Sequence, residues 1–251
     1  MKYADLEGKT ALVTGGSRGL GAALCLGLAR QGARVVVNGR DAAAVERTVR
    51  AIREDGGSAI GVTADCGSEE QAERLRLECE RAFGAPQLLA AFAGGDGAPS
   101  PVLQMPLERW SAVVATNLST TFLALRNFLP AMCASGGGAI VTMASAAARQ
   151  PAGSSAAYAA AKGAVVTLTR HIAAEVAPSG VRINCLAPSA IVTEKLAAVP
   201  QQVRDDLAAG FPLRRLGTPD DVVSAALFLL SDASGWITGA TLDIAGGKIY
   251  G

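Results

Sequence analysis

"TALVTGGSRGLGAALCLGLAR", residues 10–30, runs from a β-branched segment through a cluster of glycines into a stretch rich in alanine and leucine. Residues 10–14 have the composition of a strand apolar on both faces, and residues 19–30 are mostly good helix formers. Between them Gly15, Gly19 and Gly21 give the spacing GxxxGxG. Glycine allows a tight turn, close approach of backbone to a diphosphate, and close helix–strand packing. The helix N-terminus that follows offers free N–H groups and a positive dipole to an anion. An ordinary strand-to-helix turn also uses glycine. The position after the first strand and before the first helix points instead to a dinucleotide loop.

The alternation continues outward from this unit. Strand-like runs fall at 34–38, 58–62, 87–92, 138–143, 181–187 and 240–244, and helix-like segments at 41–54, 68–82, 107–133, 155–177 and 219–231. Alternating strands and helices imply right-handed crossovers and a Rossmann-type α/β fold, a doubly wound parallel sheet of about seven strands with helices on both faces. Nothing in residues 1–251 reads as a linker or repeat, so a single domain is expected. The stretch "AGGDGAPSP", 93–101, follows a strand and reads as a loop at the carboxyl edge of the sheet, where ligands bind in open α/β sheets.

Composition excludes several classes. The formal net charge is +1, too small to suggest nucleic acid. The apolar run at 222–230 is far short of the about 20 residues that cross a membrane. The start carries Asp5 and Glu7 where a signal peptide would be apolar. Five scattered cysteines and a single histidine fit reduced thiols in a cytoplasmic protein and argue against a metal site.

The second strand ends Asn38-Gly39-Arg40, without the acid that binds an adenosine 2′-hydroxyl in many dinucleotide folds. Arg18, inside the glycine loop, and Arg40 are positioned to meet a 2′-phosphate, unless both are solvated surface charges. Asp41 is expected to cap the next helix.

In "SSAAYAAAKGAVV", 154–166, Tyr158 and Lys162 lie four apart and share one helix face. A nearby ammonium favours the phenolate, and a tyrosine so tuned exchanges a proton with an alkoxide. A surface pair would have the same spacing. Ser145, at the carboxyl end of the strand 138–143, is placed to reach a carbonyl held there. Asn117 interrupts an apolar stripe with Trp110, Val114, Thr121 and Leu125; a buried amide there needs partners, and a satisfied structural role is the simpler reading.

From about Leu6 to Lys248 the chain resembles the short-chain dehydrogenase/reductase family, on "TGGSRGLG", Ala93-Gly94, Asn117, Ser145, "YAAAK", "NCLAP" and "ITGATLDIAGG". The nearest group in that resemblance is the 3-oxoacyl carrier-protein reductases, which share "PLxRLGxPDDV", here Pro212 to Val222. The resemblance implies Tyr158 as acid/base, Ser145 orienting the carbonyl, Lys162 lowering the tyrosine pKa and holding the nicotinamide ribose, and Asn117 positioning a water. It places the cofactor against Gly15, Ser17, Arg18, Gly19, Leu20 and Gly21, against Asn38, Gly39 and Arg40, and against Asp65 and Cys66. Ala93, Gly94, Pro188, Ile191 and Thr193 complete that set, with Tyr158 and Lys162. Two departures stand out: Ala91-Phe92-Ala93-Gly94 where the family has Asn-Asn-Ala-Gly, and Ser189 where glycine is usual.

These readings combine into an expectation of an NADP(H)-dependent oxidoreductase acting on a carbonyl or secondary alcohol, with a substrate lid around 194–212. A cofactor-binding protein without turnover is the alternative, and the presence of all four polar positions speaks against it. The expected partners are a small-molecule carbonyl compound, an acyl-coenzyme A or acyl-carrier-protein thioester among the candidates, and further copies of the chain in a homotetramer. No basic residue occurs in 131–139 or 175–180, where the family's carrier-using members have them, which favours a small ketone or a coenzyme A thioester.

Overall fold

The computed structural model describes residues 2–95, 97–151 and 153–248. Seven strands, β1 (Thr10–Thr14), β2 (Arg34–Gly39), β3 (Ser58–Thr63), β4 (Leu88–Ala91), β5 (Gly138–Met143), β6 (Val181–Pro188) and β7 (Thr241–Ile244), form one parallel sheet in the order β3-β2-β1-β4-β5-β6-β7. The order reverses between β1 and β4, which opens a crevice at their carboxyl ends. The helices are α1 (Gly19–Arg30), α2 (Ala42–Glu54), α3 (Glu69–Phe83), α4 (Leu107–Val114), α5 (Thr120–Ala134), α6 (Ala156–Val176), α7 (Glu194–Ala197), α8 (Gln201–Ala209) and α9 (Pro219–Leu230).

Strand residues alternate between two cores, as the two-residue period requires. Val13, Val35 and Val37 pack with Leu24, Leu28, Val223 and Leu227 on the side of α1 and α9. Leu12, Val36 and Ile140 pack with Leu75, Phe128 and Ile172 on the side of α3, α5 and α6. β1 is buried throughout, which explains its uninterrupted apolar sequence.

One expected helix is divided. Residues 107–133 form α4 and α5 joined by a π turn, Ala115–Ser119. The wide turn frees carbonyls, and polar side chains take them up. Asn117 Nδ2 donates to Val113 O at 2.9 Å, Thr120 Oγ1 to Thr116 O at 2.7 Å, and Thr121 Oγ1 to Asn117 O at 3.0 Å. The buried stripe therefore runs through Val113, Asn117, Thr121 and Leu125, and Trp110 is partly exposed.

The lid segment contains α7 and α8, clasped at its neck. Ile191 bridges Gly217, Val192 N donates to Gly217 O at 2.8 Å, and Gly217 N donates to Ala190 O at 3.0 Å. Among the described residues, no helix is long and apolar enough to cross a membrane, and no group of three or more His, Cys, Asp or Glu side chains is placed to hold a metal.

Candidate active site

The glycine loop is built by close approach. A Cβ on Gly21 would stand 2.1 Å from the Gly15 carbonyl oxygen, and one on Gly15 would stand 2.9 Å from Ala93 N. Helices α2, α3, α6 and α9 begin with side-chain caps from Asp41, Ser68, Ser155 and Thr218, but α1 begins at Arg18 with none. Its first-turn N–H groups are thereby left to an anion, with Ser17 and Leu20 beside them. From across the crevice, the segment after Pro188 descends on the same loop: Thr193 Cγ2 lies 3.8 Å from where a Cβ on Gly19 would stand. An uncapped helix N-terminus, a glycine turn and a facing wall fit a dinucleotide diphosphate.

The tip of β2 is more crowded than its sequence implies. A Cβ on Gly39 would stand 2.4 Å from Ser17 Oγ and 3.1 Å from Val45 Cγ2. The missing acid is thus first a matter of space. Asn38 is fully buried and its amide is consumed internally, donating to Val62 O and Ala64 O at 3.1 Å and accepting from Cys66 Sγ at 2.9 Å. Burial pushes the Cys66 thiol up to about 12. The side chains of Asn38 and Cys66 are therefore supports for the strand tip. Asp41 caps α2 through Ala44 N at 3.0 Å, as expected, and also pairs with Arg18. Arg40 is exposed at the tip. Asp65 is half-buried and its carboxylate accepts from Gly67 N at 2.8 Å.

Four polar side chains converge where β4, β5 and α6 meet. Ser155 caps α6 by accepting from Tyr158 N at 3.2 Å, which fixes the first turn that carries the phenol. Ser145, in extended backbone just past β5, accepts from Ala147 N at 3.2 Å and shares a hydrogen bond with Tyr158. Burial raises the Tyr158 pKa above the ordinary phenol value, and the Ser145 bond opposes that shift. Lys162 is 3% exposed and donates from Nζ to Met143 O at 2.8 Å, with Nζ 5.6 Å from the Tyr158 ring centre. Burial lowers its pKa to about 8, and Cys185 opposes the shift. The ammonium is turned to a backbone carbonyl, and dehydration is the largest influence on the phenol.

Asn117 is fully buried and clasps the loop after β4. It accepts from Gly95 N at 3.0 Å and donates to Gly95 O at 2.8 Å. The loop then covers the phenol: a Cβ on Gly97 would stand 3.4 Å from two Tyr158 ring atoms. Both departures from the family pattern are accommodated. β4 keeps full register with β1 and β5, and Thr14 Oγ1 accepts from Ala93 N at 3.2 Å. Ser189 N donates to Ile244 O at 3.0 Å.

Thr14, Gly97 and the Met143 carbonyl join the site without a distinguishing signal in the sequence. A carbonyl leaves no mark there, and Thr14 and Gly97 look like ordinary strand-end and loop residues. The run Thr116-Asn117-Leu118-Ser119-Thr120-Thr121 was the one available signal for the π turn, since such side chains compete for helix carbonyls.

Comparison with known proteins gives a consistent picture. The family described as Enoyl-(Acyl carrier protein) reductase matches residues 15–248. Dehydrogenase/reductase SDR family member 4 of Bos taurus is 33% identical over 246 residues, covering 97% of this chain and 88% of that protein. The 7alpha-hydroxysteroid dehydrogenase of Escherichia coli (strain K12) is 34% identical over 245 residues, covering 97% and 95%. A solved structure of 7 alpha-hydroxysteroid dehydrogenase, complexed with NADH and 7-oxo glycochenodeoxycholic acid, superposes with a TM-score of 0.92 at 33% identity, covering 98% of this chain and 96% of that one.

Proposed function

The chain belongs to the short-chain dehydrogenase/reductase family, and from that premise we propose that it is an NADP(H)-dependent reductase of small ketones in which Tyr158 supplies the proton. Membership makes it an oxidoreductase acting on alcohol or ketone substrates with a nicotinamide dinucleotide. The observation that carries the finer reading is the convergence of Ser145, Tyr158, Lys162 and Asn117 beside an uncapped helix N-terminus.

When bound, the cofactor supplies the hydride. The chain's own residues handle the carbonyl oxygen and its proton. Ser145 shares a hydrogen bond with the phenol and orients the carbonyl toward it. Tyr158, kept neutral by burial, donates its proton to the oxygen as negative charge develops. Lys162 holds positive charge beneath the phenol, which favours the phenolate left behind. The covering loop at Gly97, clasped by Asn117, excludes water from the ring face.

Preference for NADP(H) is supported by Arg40 at the exposed tip of β2 and by the lack of room for an acid at Gly39. Arg18 is paired with Asp41, so Arg40 carries most of the discrimination. A small ketone is favoured over a carrier-bound acyl chain. Arg126 is paired with Glu69 at 2.5 Å, on the α3–α5 surface, and Arg149 with Asp243 at 3.2 Å, so neither is a free docking charge. The closeness to 3-oxoacyl reductases thus concerns chemistry rather than carrier. Assembly as a homotetramer through α4, α5, α6 and β7 is supported by exposed Leu107, Phe122 and Leu242 on those elements. Free, mostly buried thiols suit a reducing, cytoplasmic setting.

The experiment is a panel of cyclic ketones, keto acids, acetoacetyl-coenzyme A and acetoacetyl-carrier protein, with NADPH or NADH oxidation as readout. Turnover of a small ketone with NADPH supports the proposal. Turnover confined to the carrier-protein thioester, or to NADH, rejects the corresponding part.

A further inference from the structure

Two adjacent glycines follow β4, and they are glycines for different reasons. Gly95 has φ +144°, a conformation that side chains rarely adopt, and a Cβ added there would meet nothing within 4 Å. Gly94 lies outside that region, so its backbone suits any residue. What Gly94 lacks is room. A Cβ on it would stand 2.8 Å from Asn117 Oδ1 and 3.2 Å from Lys162 Nζ.

The two polar groups reach this space from different elements, Asn117 from the π turn and Lys162 from α6. Each has one end fixed. Asn117 Nδ2 donates to Gly95 O and Val113 O, and Oδ1 accepts from Gly95 N, which leaves one lone pair on Oδ1. Lys162 donates to Met143 O, which leaves two of its three ammonium hydrogens. A free acceptor and free donors thus both border a space that a single methyl group would fill.

We propose that Gly94 is a positioning residue for proton transfer, its missing side chain keeping open the path between Asn117 Oδ1 and Lys162 Nζ. The proposal rests on the reading of Tyr158 and Lys162 as the proton-transfer pair. A methyl at position 94 meets an amide that moves only by breaking three hydrogen bonds, so the flexible ammonium yields and leaves its place beneath the phenol. The same methyl strips Lys162 of surrounding space and dehydrates it further.

Glycine at 94 would also be explained by close approach of the cofactor alone, and the two explanations separate experimentally. In Gly94→Ala, NADPH binding is followed by fluorescence titration, kcat is measured at saturating cofactor, and Lys162 is titrated in the cofactor-free protein by ¹³Cε-lysine NMR, where it is one of five lysines. The expected result is a Kd within about threefold of the parent, a kcat at least about tenfold lower, and a Lys162 titration midpoint moved down in pH. In an Asn117→Ala background, which removes one wall of the space, Gly94→Ala should cost less than about twofold further in kcat. A loss confined to NADPH affinity, with kcat and the Lys162 midpoint unchanged, overturns the proposal, as does the same loss in both backgrounds. If Gly94→Ala does not fold, the double variant should regain a cooperative thermal transition; a double variant that stays unfolded also overturns it. If the parent reduces no ketone, the catalytic reading fails, while the Lys162 titration still tests the space beside Gly94.

Discussion

Lys162 directs its Nζ to the carbonyl of Met143, 2.8 Å away, and passes beneath the ring of Tyr158 at 5.6 Å from its centre. The ammonium is buried and satisfied by backbone, so its charge sits in place at a cost in stability.

Lys162→Met should be inactive yet more stable than the parent. Burial lowers the lysine from its ordinary value to about 8. At about 1.4 kcal/mol per pKa unit, the charged form costs on the order of 3 kcal/mol in the fold, partly offset by about 1 kcal/mol from the Met143 bond. A net gain of about 1–2 kcal/mol corresponds to a rise of roughly 2–8 °C in Tm at this chain length. Because the folded pKa is the lower one, the unfolded state binds more protons from about pH 8 to the ordinary lysine pKa, so parent stability rises with pH across that window. The Met variant should lack that rise. Thermal melts at pH 7 and pH 9 check both points, and a lower Tm for the variant at pH 7 contradicts the assignment of burial as the cause.

The pH profile of reduction should show one basic limb near pH 8. Reduction requires Lys162 charged and Tyr158 protonated; the first is lost at about 8, and the second persists beyond the ordinary phenol value. Among the described residues the titratable neighbours of Lys162 are Tyr158 and Cys185, and burial keeps both thiol and phenol neutral in this range. In kcat/KM for NADPH, which reports the free enzyme, the limb should move to higher pH in Lys162→Arg. A profile level through pH 9, or a limb unmoved by that substitution, counts against Lys162 as its source.

Cofactor preference should reside in Arg40. A charge-assisted hydrogen bond to a 2′-phosphate is worth about 1.5–3 kcal/mol, so kcat/KM should favour NADPH over NADH by at least about tenfold. Arg40→Ala should erase most of that ratio, whereas Arg18→Ala, which breaks a pair with Asp41, should change it less. Gly39→Asp is not a clean reversal, because its Cβ meets Ser17; it should lower Tm as well as NADPH affinity. Equal kcat/KM for the two cofactors in the parent would falsify the assignment.

Much of this was legible in the sequence for identifiable reasons. The sheet was readable because parallel strands are apolar on both faces, as Thr10–Thr14 is, and because Gly15, Gly19 and Gly21 mark the first crossover. Tyr158 and Lys162 were readable because a helix puts i and i+4 on one face. Three features were hidden. The π turn at Asn117 depends on side-chain bonds to carbonyls that a regular helix would use itself. The crowding at Gly39 comes from Ser17, 22 positions away, and looks in sequence like an electrostatic choice. The partner of Lys162 is a backbone carbonyl, which no residue name records.

The central claim is that the Tyr158 hydroxyl delivers the proton, and the direct measurement is single-turnover reduction of a ketone by Tyr158→Phe with pre-bound NADPH. Removing only the hydroxyl leaves the ring against Gly97 and above Lys162. The account predicts NADPH affinity close to the parent's and a reduction rate lower by about 10²–10⁴-fold, the usual contribution of a positioned acid. A Phe variant that binds NADPH normally and keeps more than about a tenth of the parent rate would contradict it, since a proton donor other than Tyr158 would then be at work.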